Sequence, residues 1–318
     1  MNSELRTNNL KVAVLAGGVG SERQVSLLSG QTVYNALNEA GFETVLSDVT
    51  PEDMSILDDP SIDVFFPILH GQFGEDGQLQ KRLEEKDLCF TGSGAESSQR
   101  SFDKLLSKQA FFHANLPIAR HLIVHSDDTE EGLKPMLEKL ASKYVVKPVR
   151  EGSSVGVTIT DDVDTTAANA IACFAQYGDC MVEEFITGRE ITVGILNGNP
   201  LPIIEIRSKT DFYDYQAKYE SDATEYLFDT IDDTELIKEI QRDAVTCFNE
   251  LGCRHLGRVD FILTKVGIPY ILEINTLPGF TSHSLLPMAA EKTGISKPKL
   301  CTQIVEAAWN EHKIKVND

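Results

Sequence analysis

The sequence predicts an α/β protein with an α+β centre, organised as three modules. Its first hundred residues alternate strand-like and helix-like patterns with glycines at the junctions. The middle turns β-rich between helical stretches, and at 318 residues the chain is too long for one ordinary core. The module boundaries are expected at residues 1–100, 101–189 and 190–318.

Taken in order, the apolar run from Lys11 to Ala16 reads as a strand, Ser26 to Ala40 as a helix stopped by Gly41, and Asp63 to Leu69 as a second strand. This is the rhythm of a small parallel α/β unit. The central module opens with a helix near Phe102. Strands follow at Tyr144 to Val149 and Ser154 to Thr160, then a helix from Val163 to Tyr177 and a strand around Met181 to Phe185. The last module carries strands at Glu190 to Leu196 and Leu201 to Arg207, an aromatic-rich polar segment, a long helix near Glu235 to Gly252, a hairpin and terminal helices.

Composition excludes several classes. With 42% hydrophobic and 25% charged residues the chain is globular, and it has no apolar run long enough to span a bilayer. After the polar lead Met1 to Asn9, the apolar stretch ends in glycines and not in a signal cleavage site, so a cytoplasmic protein is expected. The six cysteines, Cys89, Cys173, Cys180, Cys247, Cys253 and Cys301, form no Cys-x-x-Cys pair and suit free thiols in a reducing compartment. A formal net charge of -20 argues against a nucleic-acid partner, which requires a cationic footprint. It does not argue against one small anion in a locally basic cleft.

Three glycine clusters lie where anions bind. Gly17-Gly18-Val19-Gly20-Ser21-Glu22 follows a strand and precedes a helix, a junction at which backbone N–H groups converge. It departs from the dinucleotide fingerprint because Arg23 stands at the third glycine site. Glu22 at the helix entrance can stabilise the dipole or hold a substrate ammonium. His70-Gly71-Gln72-Phe73-Gly74-Glu75-Asp76-Gly77 ends another strand, on the edge where open α/β sheets bind ligands. His70 there is either a hydrogen-bonded structural residue or a ligand contact. In Lys147-Pro148-Val149-Arg150-Glu151-Gly152-Ser153-Ser154-Val155-Gly156, a strand lysine precedes small donors, which suits triphosphate oxygens without a Walker loop. The alternative is a solvated hairpin with Lys147 reaching outward.

The C-terminal hairpin is the most informative constellation. Arg258 and Asp260 share one face of its first strand, Glu273 and Asn275 one face of the next. A four-residue turn from Lys265 to Ile268 would set Asp260 opposite Glu273, a like-charge pair that divalent cations between the carboxylates would relieve. An all-oxygen donor set points to Mg2+ and not zinc. The alternative is an ordinary polar outer face. The turn Thr276-Leu277-Pro278-Gly279-Phe280-Thr281-Ser282-His283-Ser284 then leads into a helix from Leu285 to Lys292, where backbone amides can meet an oxyanion or Ser284 can serve as N-cap.

Taken together and in order, these strings resemble the D-alanine:D-alanine ligase family of the ATP-grasp superfamily. They are Ala16-Gly-Gly-x-x-Ser21-Glu22-Arg23-x-Val25-Ser26-Leu27-x-Ser29-Gly30, His70-Gly-x-x-Gly-Glu-Asp-Gly77, Glu151-Gly-Ser-Ser-Val-Gly156, Phe212-Tyr-Asp-Tyr-x-Ala-Lys-Tyr219, Gly257-Arg-x-Asp260 and Glu273-x-Asn-Thr-x-Pro-Gly-Phe-Thr-Ser-His-Ser-Leu285. The likeness spans nearly the whole chain apart from the polar lead.

The resemblance implies a three-module ATP-grasp ligase that joins two D-alanine molecules through an acyl phosphate, for peptidoglycan precursor synthesis. It implies that Lys104, Lys147 and Ser154 hold ATP phosphates and that Glu183 and Glu190 take adenine and ribose. Asp260, Glu273 and Asn275 would bind two Mg2+, for which Mn2+ could substitute. Glu22 and His70 would receive the first D-alanine, Arg258 and the Gly279 amide would form an oxyanion hole, and Ser284 with Leu285 would hold the second substrate's carboxylate. Lys218 would neutralise the transferred phosphoryl group, Ser153 and Tyr219 would complete a link to Glu22, and Phe212 to Tyr226 would form a lid. Homodimerisation is typical of the resembling family. A D-alanine:D-lactate ligase or another ATP-grasp ligase is the runner-up, and a non-catalytic ATP-binding module is disfavoured by the intact metal ligands. One departure is Glu184, an acidic residue beside the expected adenine pocket at Glu184-Phe185-Ile186.

Overall fold

The computed structural model of the chain describes residues 10–20, 22–208 and 224–317. The first sheet holds β1 (Lys11–Gly17), β2 (Glu43–Val49) and β3 (Val64–Pro67), all parallel in the order β2-β1-β3. Side chains on both faces of β1 are buried, as expected of a central parallel strand. Helix α1 (Arg23–Glu39) packs closely on this sheet because it presents small residues to it. Ser26 Oγ accepts from the Gly17 amide and donates to the Ile68 carbonyl, both at 2.9 Å. A Cβ on Gly30 would lie 2.5 Å from that of Ala16. The helix stops at Gly41 with φ +93°, where the amides of Gly41 and Phe42 close onto the carbonyls of Asn38 and Leu37. Helices α2 (Gln78–Glu85) and α3 (Ala95–Phe102) follow.

Helix α4 (Lys104–His113), capped by the Asp103 carboxylate, leads to a second, antiparallel sheet of β4 (His121–Val124), β5 (Tyr144–Pro148), β6 (Thr158–Thr160) and β7 (Cys180–Glu184), in the order β4-β7-β5-β6. Helices α5 (Glu130–Leu140) and α6 (Val163–Tyr177) cover one side of it. The strand expected from Ser154 shortens to Thr158–Thr160. Ser153, Ser154 and Gly156 all have positive φ, which coils the chain into a turn where a ladder would need extended backbone.

The third sheet is antiparallel and has six strands: β8 (Arg189–Leu196), β9 (Asn199–Pro200), β10 (Ile204–Ser208), β11 (Thr224–Leu227), β12 (Leu256–Leu263) and β13 (Pro269–Asn275). The strand expected from Leu201 begins only at Ile204, after β9 has paired back onto β8. Helix α7 (Thr234–Glu250) and α4 bury their apolar faces in the core beneath this sheet. Helices α8 (Leu285–Lys292) and α9 (Lys297–Asn317) return to the first sheet and share one core with it. At the centre of that seam the fully buried Phe280 meets Phe66 edge-on, with ring centroids 6.0 Å apart.

Phe280→Ala should therefore destabilise the protein by about 3–5 kcal/mol, the usual cost of emptying a buried aromatic site. Urea unfolding measures it, and a loss below about 1 kcal/mol would show that the seam closes over the gap.

Candidate functional site

The hairpin β12–β13 supplies one wall. Arg258 stands opposite Asn275 and Asp260 opposite Glu273, the pairing expected from the sequence. The route to it differs. The ladder begins with Leu263 opposite Pro269, one residue away from the register a Lys265–Ile268 turn would set, and a β-bulge between Asp260 and Phe261 restores the alignment. Asp260 is buried and accepts Arg258 Nε at 2.9 Å and Nη2 at 2.7 Å, a two-pronged pair joined by the Thr192 hydroxyl.

On the opposite wall, the turn after β5 carries Ser153, whose hydroxyl donates to Glu22 Oε1 at 2.6 Å. The Glu22 carboxylate lies so close to the backbone that a Cβ on Gly71 would meet it at 2.9 Å. Nearby, Gln72 Nε2 donates to Glu151 Oε1 at 3.1 Å, while the Glu151 carbonyl accepts from Lys104 Nζ. His70 is buried, with Nδ1 3.4 Å from Glu75 and Nε2 3.4 Å from Ser29. Gly279 sits among Ser284, Ser29 and His70, where an added Cβ would come within 2.9 Å of Ser284 Oγ. Ser284 occupies the N-cap position of α8 but its hydroxyl does not cap the helix; it accepts from the Thr281 amide at 2.8 Å.

Lysines gather where these walls meet the second sheet. Lys147 is buried and does not reach out to solvent: its Nζ lies 2.8 Å from Glu183 Oε2. The other oxygen of Glu183 meets Lys108 Nζ at 2.7 Å. Lys104 Nζ lies 3.6 Å from Glu273 Oε2. Burial would raise the Glu183 pKa, yet the ammoniums of Lys108 and Lys147 outweigh it and hold the carboxyl at about 2. Burial also lowers the pKa of Lys104 and Lys108, with Glu273 and Glu183 pulling the other way. Glu184, which also borders this region, is paired with Arg120 at 2.6 Å, which takes up the acidic charge that departed from the family pattern.

One cavity is lined by Glu22, His70, Ser153, Arg258, Gly279 and Ser284, and also by Leu285, Asp260, Asn275 and Tyr226. An adjoining cavity of about 630 Å³ holds Lys147, Ser154 and Glu183 between apolar walls from Val145, Ile159, Phe185, Ile186, Ile262 and Leu272. Lys104, Glu151, Glu190 and Glu273 border both. The sequence alone did not single out Lys108, although its four-residue spacing from Lys104 puts both on one helix face, nor Thr192, which carries no motif, and it gave Ser29 no role although Ser29 stands in the first of the family strings. Lys218, Tyr219 and most of the expected lid lie outside the described residues.

Comparison with known proteins narrows this architecture. The family model described as D-ala D-ala ligase C-terminus matches residues 111–306. A D-alanine–D-alanine ligase from Methylacidiphilum infernorum is 41% identical, over 95% of this chain and 97% of that protein. The chain belongs to the D-alanine–D-alanine ligase family. Another such ligase, from Syntrophotalea carbinolica, is 39% identical over 94% of this chain and 96% of its own length. Among solved structures, a D-alanine–D-alanine ligase from Bacillus anthracis complexed with ATP superposes with a TM-score of 0.84 at 33% identity, covering 97% of this chain and all of that one. The VanG D-Ala:D-Ser ligase from Enterococcus faecalis reaches a TM-score of 0.83 at 27% identity, over 94% of this chain and 99% of its own.

The expected metal ligands are two carboxylates and an amide, and among the described residues no cluster of three or more His, Cys, Asp or Glu is poised for a metal. Asp260 is met by Arg258 and Glu273 lies near Lys104, and as oxygen donors set across one ladder the two carboxylates and the Asn275 amide fit a hard divalent cation.

A carboxyl that ionises near 2 in the folded chain and near 4.5 when unfolded is protonated more readily in the unfolded state. Its stabilisation is thus complete above about 4.5 and is lost as pH falls through about 2. Urea unfolding at several pH values should show wild type and Glu183→Gln converging across that window. Parallel curves would contradict the assignment.

Proposed function

We propose that this chain joins two D-alanine molecules into D-alanyl-D-alanine, converting ATP to ADP and phosphate through an acyl-phosphate intermediate. The observation that carries the reading is the joining of two cavities across Lys104 and Glu273: one with a carboxylate, an arginine and a glycine turn, the other with buried lysines and apolar walls. The first suits an amino acid, the second a nucleotide.

The chemistry follows from these groups. A carboxylate is a poor acyl donor, so its oxygen first takes the terminal phosphoryl group of ATP. In our assignment Lys104, Lys147 and Ser154 hold the phosphates, while Glu183 and Glu190 take adenine and ribose. Asp260, Glu273 and Asn275 would hold two Mg2+, with Mn2+ as a substitute, which supply neutralisation of phosphate charge. Glu22, oriented by Ser153, binds the first ammonium beside His70. Ser284 and Leu285 hold the carboxylate of the second D-alanine, whose neutral amine attacks the acyl phosphate. The resulting oxyanion is met by Arg258 and the Gly279 amide, donors set in place before charge develops. Lys218 and Tyr219 are assigned to phosphoryl neutralisation and to the Glu22 link, and the segment from Phe212 excludes water that would hydrolyse the acyl phosphate.

We assign the modules to residues 1–100, 101–189 and 190–318, a division supported by the three sheets, with α4 and α9 packing across it. A homodimer acting in the cytoplasm completes the proposal. Six free, buried cysteines suit a reducing compartment, and among the described residues no helix is long and apolar enough to cross a membrane.

Phosphate release from ATP and Mg2+ should depend on D-alanine and match dipeptide formation one to one; release without D-alanine, or without dipeptide, would overturn the reading. Given D-alanine and D-lactate together at neutral pH, the enzyme should make mainly dipeptide. Arg258→Ala should lower kcat by about 10²–10³ while KM for ATP moves less than about threefold. An equal loss in ATP affinity would move Arg258 to nucleotide binding.

A further inference from the structure

Lys108 has no part in the chemistry above, yet it is among the most deeply buried charges of the molecule, only 1% exposed. It extends from α4 to one oxygen of Glu183, while Lys147 from β5 takes the other. A lone Lys147–Glu183 pair would be self-sufficient: one ammonium and one carboxylate in a dry cleft neutralise each other, and an incoming phosphate would have to compete with Glu183 for the lysine. With Lys108 present, Glu183 is shared between two cations. Lys147 then keeps part of its positive charge for a third partner. Burial depresses the Lys108 pKa, so this arrangement is costly without an anion, and its cost falls when one binds.

We infer that Lys108 is a positioning residue which, by sharing Glu183 with Lys147, leaves the Lys147 ammonium available to the phosphates of the nucleotide. This rests on the assignment of Lys147 and Glu183 to the nucleotide cleft. Lys108 lines neither cavity. It acts only through Glu183, and two consequences follow. Its loss should weaken the nucleotide selectively, and its identity should cease to matter once Glu183 carries no charge.

The test is a double-mutant cycle with Lys108→Met, Glu183→Gln and the two combined, read as kcat and as KM for ATP and for D-alanine, with folding checked by thermal unfolding. Lys108→Met should raise KM for ATP by about tenfold or more, with kcat and KM for D-alanine within about threefold of wild type. Lys108→Arg, which keeps the charge, should recover most of the ATP affinity. Glu183→Gln and the double variant should agree in KM for ATP within about twofold. That comparison also decides the matter if Lys108→Met does not fold, because the double variant removes both members of the buried pair. An unchanged KM for ATP in folded Lys108→Met, a loss confined to kcat, or a further tenfold loss in the double variant over Glu183→Gln would overturn the inference. Failure of the underlying assignment looks different: Lys147→Met would then leave KM for ATP unchanged.

Discussion

Asp260 and Glu273 face each other because the β12–β13 ladder changes register by one residue beside them, and much of the site inherits its geometry from that step. Without the bulge, the Leu263–Pro269 register would carry through and set Asp260 opposite Leu272, and Glu273 would fall opposite the buried Val259 on the core face. With it, Arg258 and Asp260 lie side by side on one strand with Asn275 and Glu273 across from them. Beyond the end of β13 the Pro-Gly turn lies against the first sheet and its helix α1. Gly279 reaches Ser29 and His70 through that turn, and Phe280 anchors it against Phe66.

Electrostatics explains why such a site is tolerated inside a protein of net charge -20. The negative charge is spread over the surface, while Lys104, Lys108 and Lys147 are concentrated in one buried region with Glu183 and Glu273 as their contacts. Buried ammoniums are costly, and their lowered pKa values at Lys104 and Lys108 register that cost. A polyphosphate is the kind of ligand that turns such a cost into binding free energy, because it returns to the lysines the negative charge that solvent would otherwise supply.

The cleft is also a seam between sheets. Ser153 follows the second sheet and Glu22 leads from the first, and one hydrogen bond across 131 residues joins them. Gln72 and Glu151 repeat the crossing at the rim, and Lys104 ties the same loop to the hairpin. In the proposed assignment, a substrate ammonium on Glu22 and phosphates on Lys147 would therefore be held by different modules. The reaction proposed here needs them in contact, so the relative placement of the sheets is itself part of the chemistry.

Sequence by itself determined the local grammar: strand, glycine turn and helix at Gly17, strand and glycine turn at His70, the stop at Gly41, the oxygen-donor hairpin and the ordered motifs that mark the family. These follow from backbone preferences and side-chain alternation, which neighbouring residues decide among themselves. The pairing of Asp260 with Glu273 was also legible, although from a turn that the chain does not make. What only tertiary structure decided are the partners brought from far away: Lys108 with Glu183, Thr192 with Asp260, Glu184 with Arg120, and Ser29 beneath Gly279. Apart from the partly exposed Glu184–Arg120 pair, these are polar groups whose burial demands a partner, and no local pattern states which group will be near enough to supply it. The turn at Ser153 and Ser154 belongs with them. Its positive φ angles are unfavourable for serine in a short peptide, and here they accompany the 2.6 Å contact that the Ser153 hydroxyl makes with Glu22.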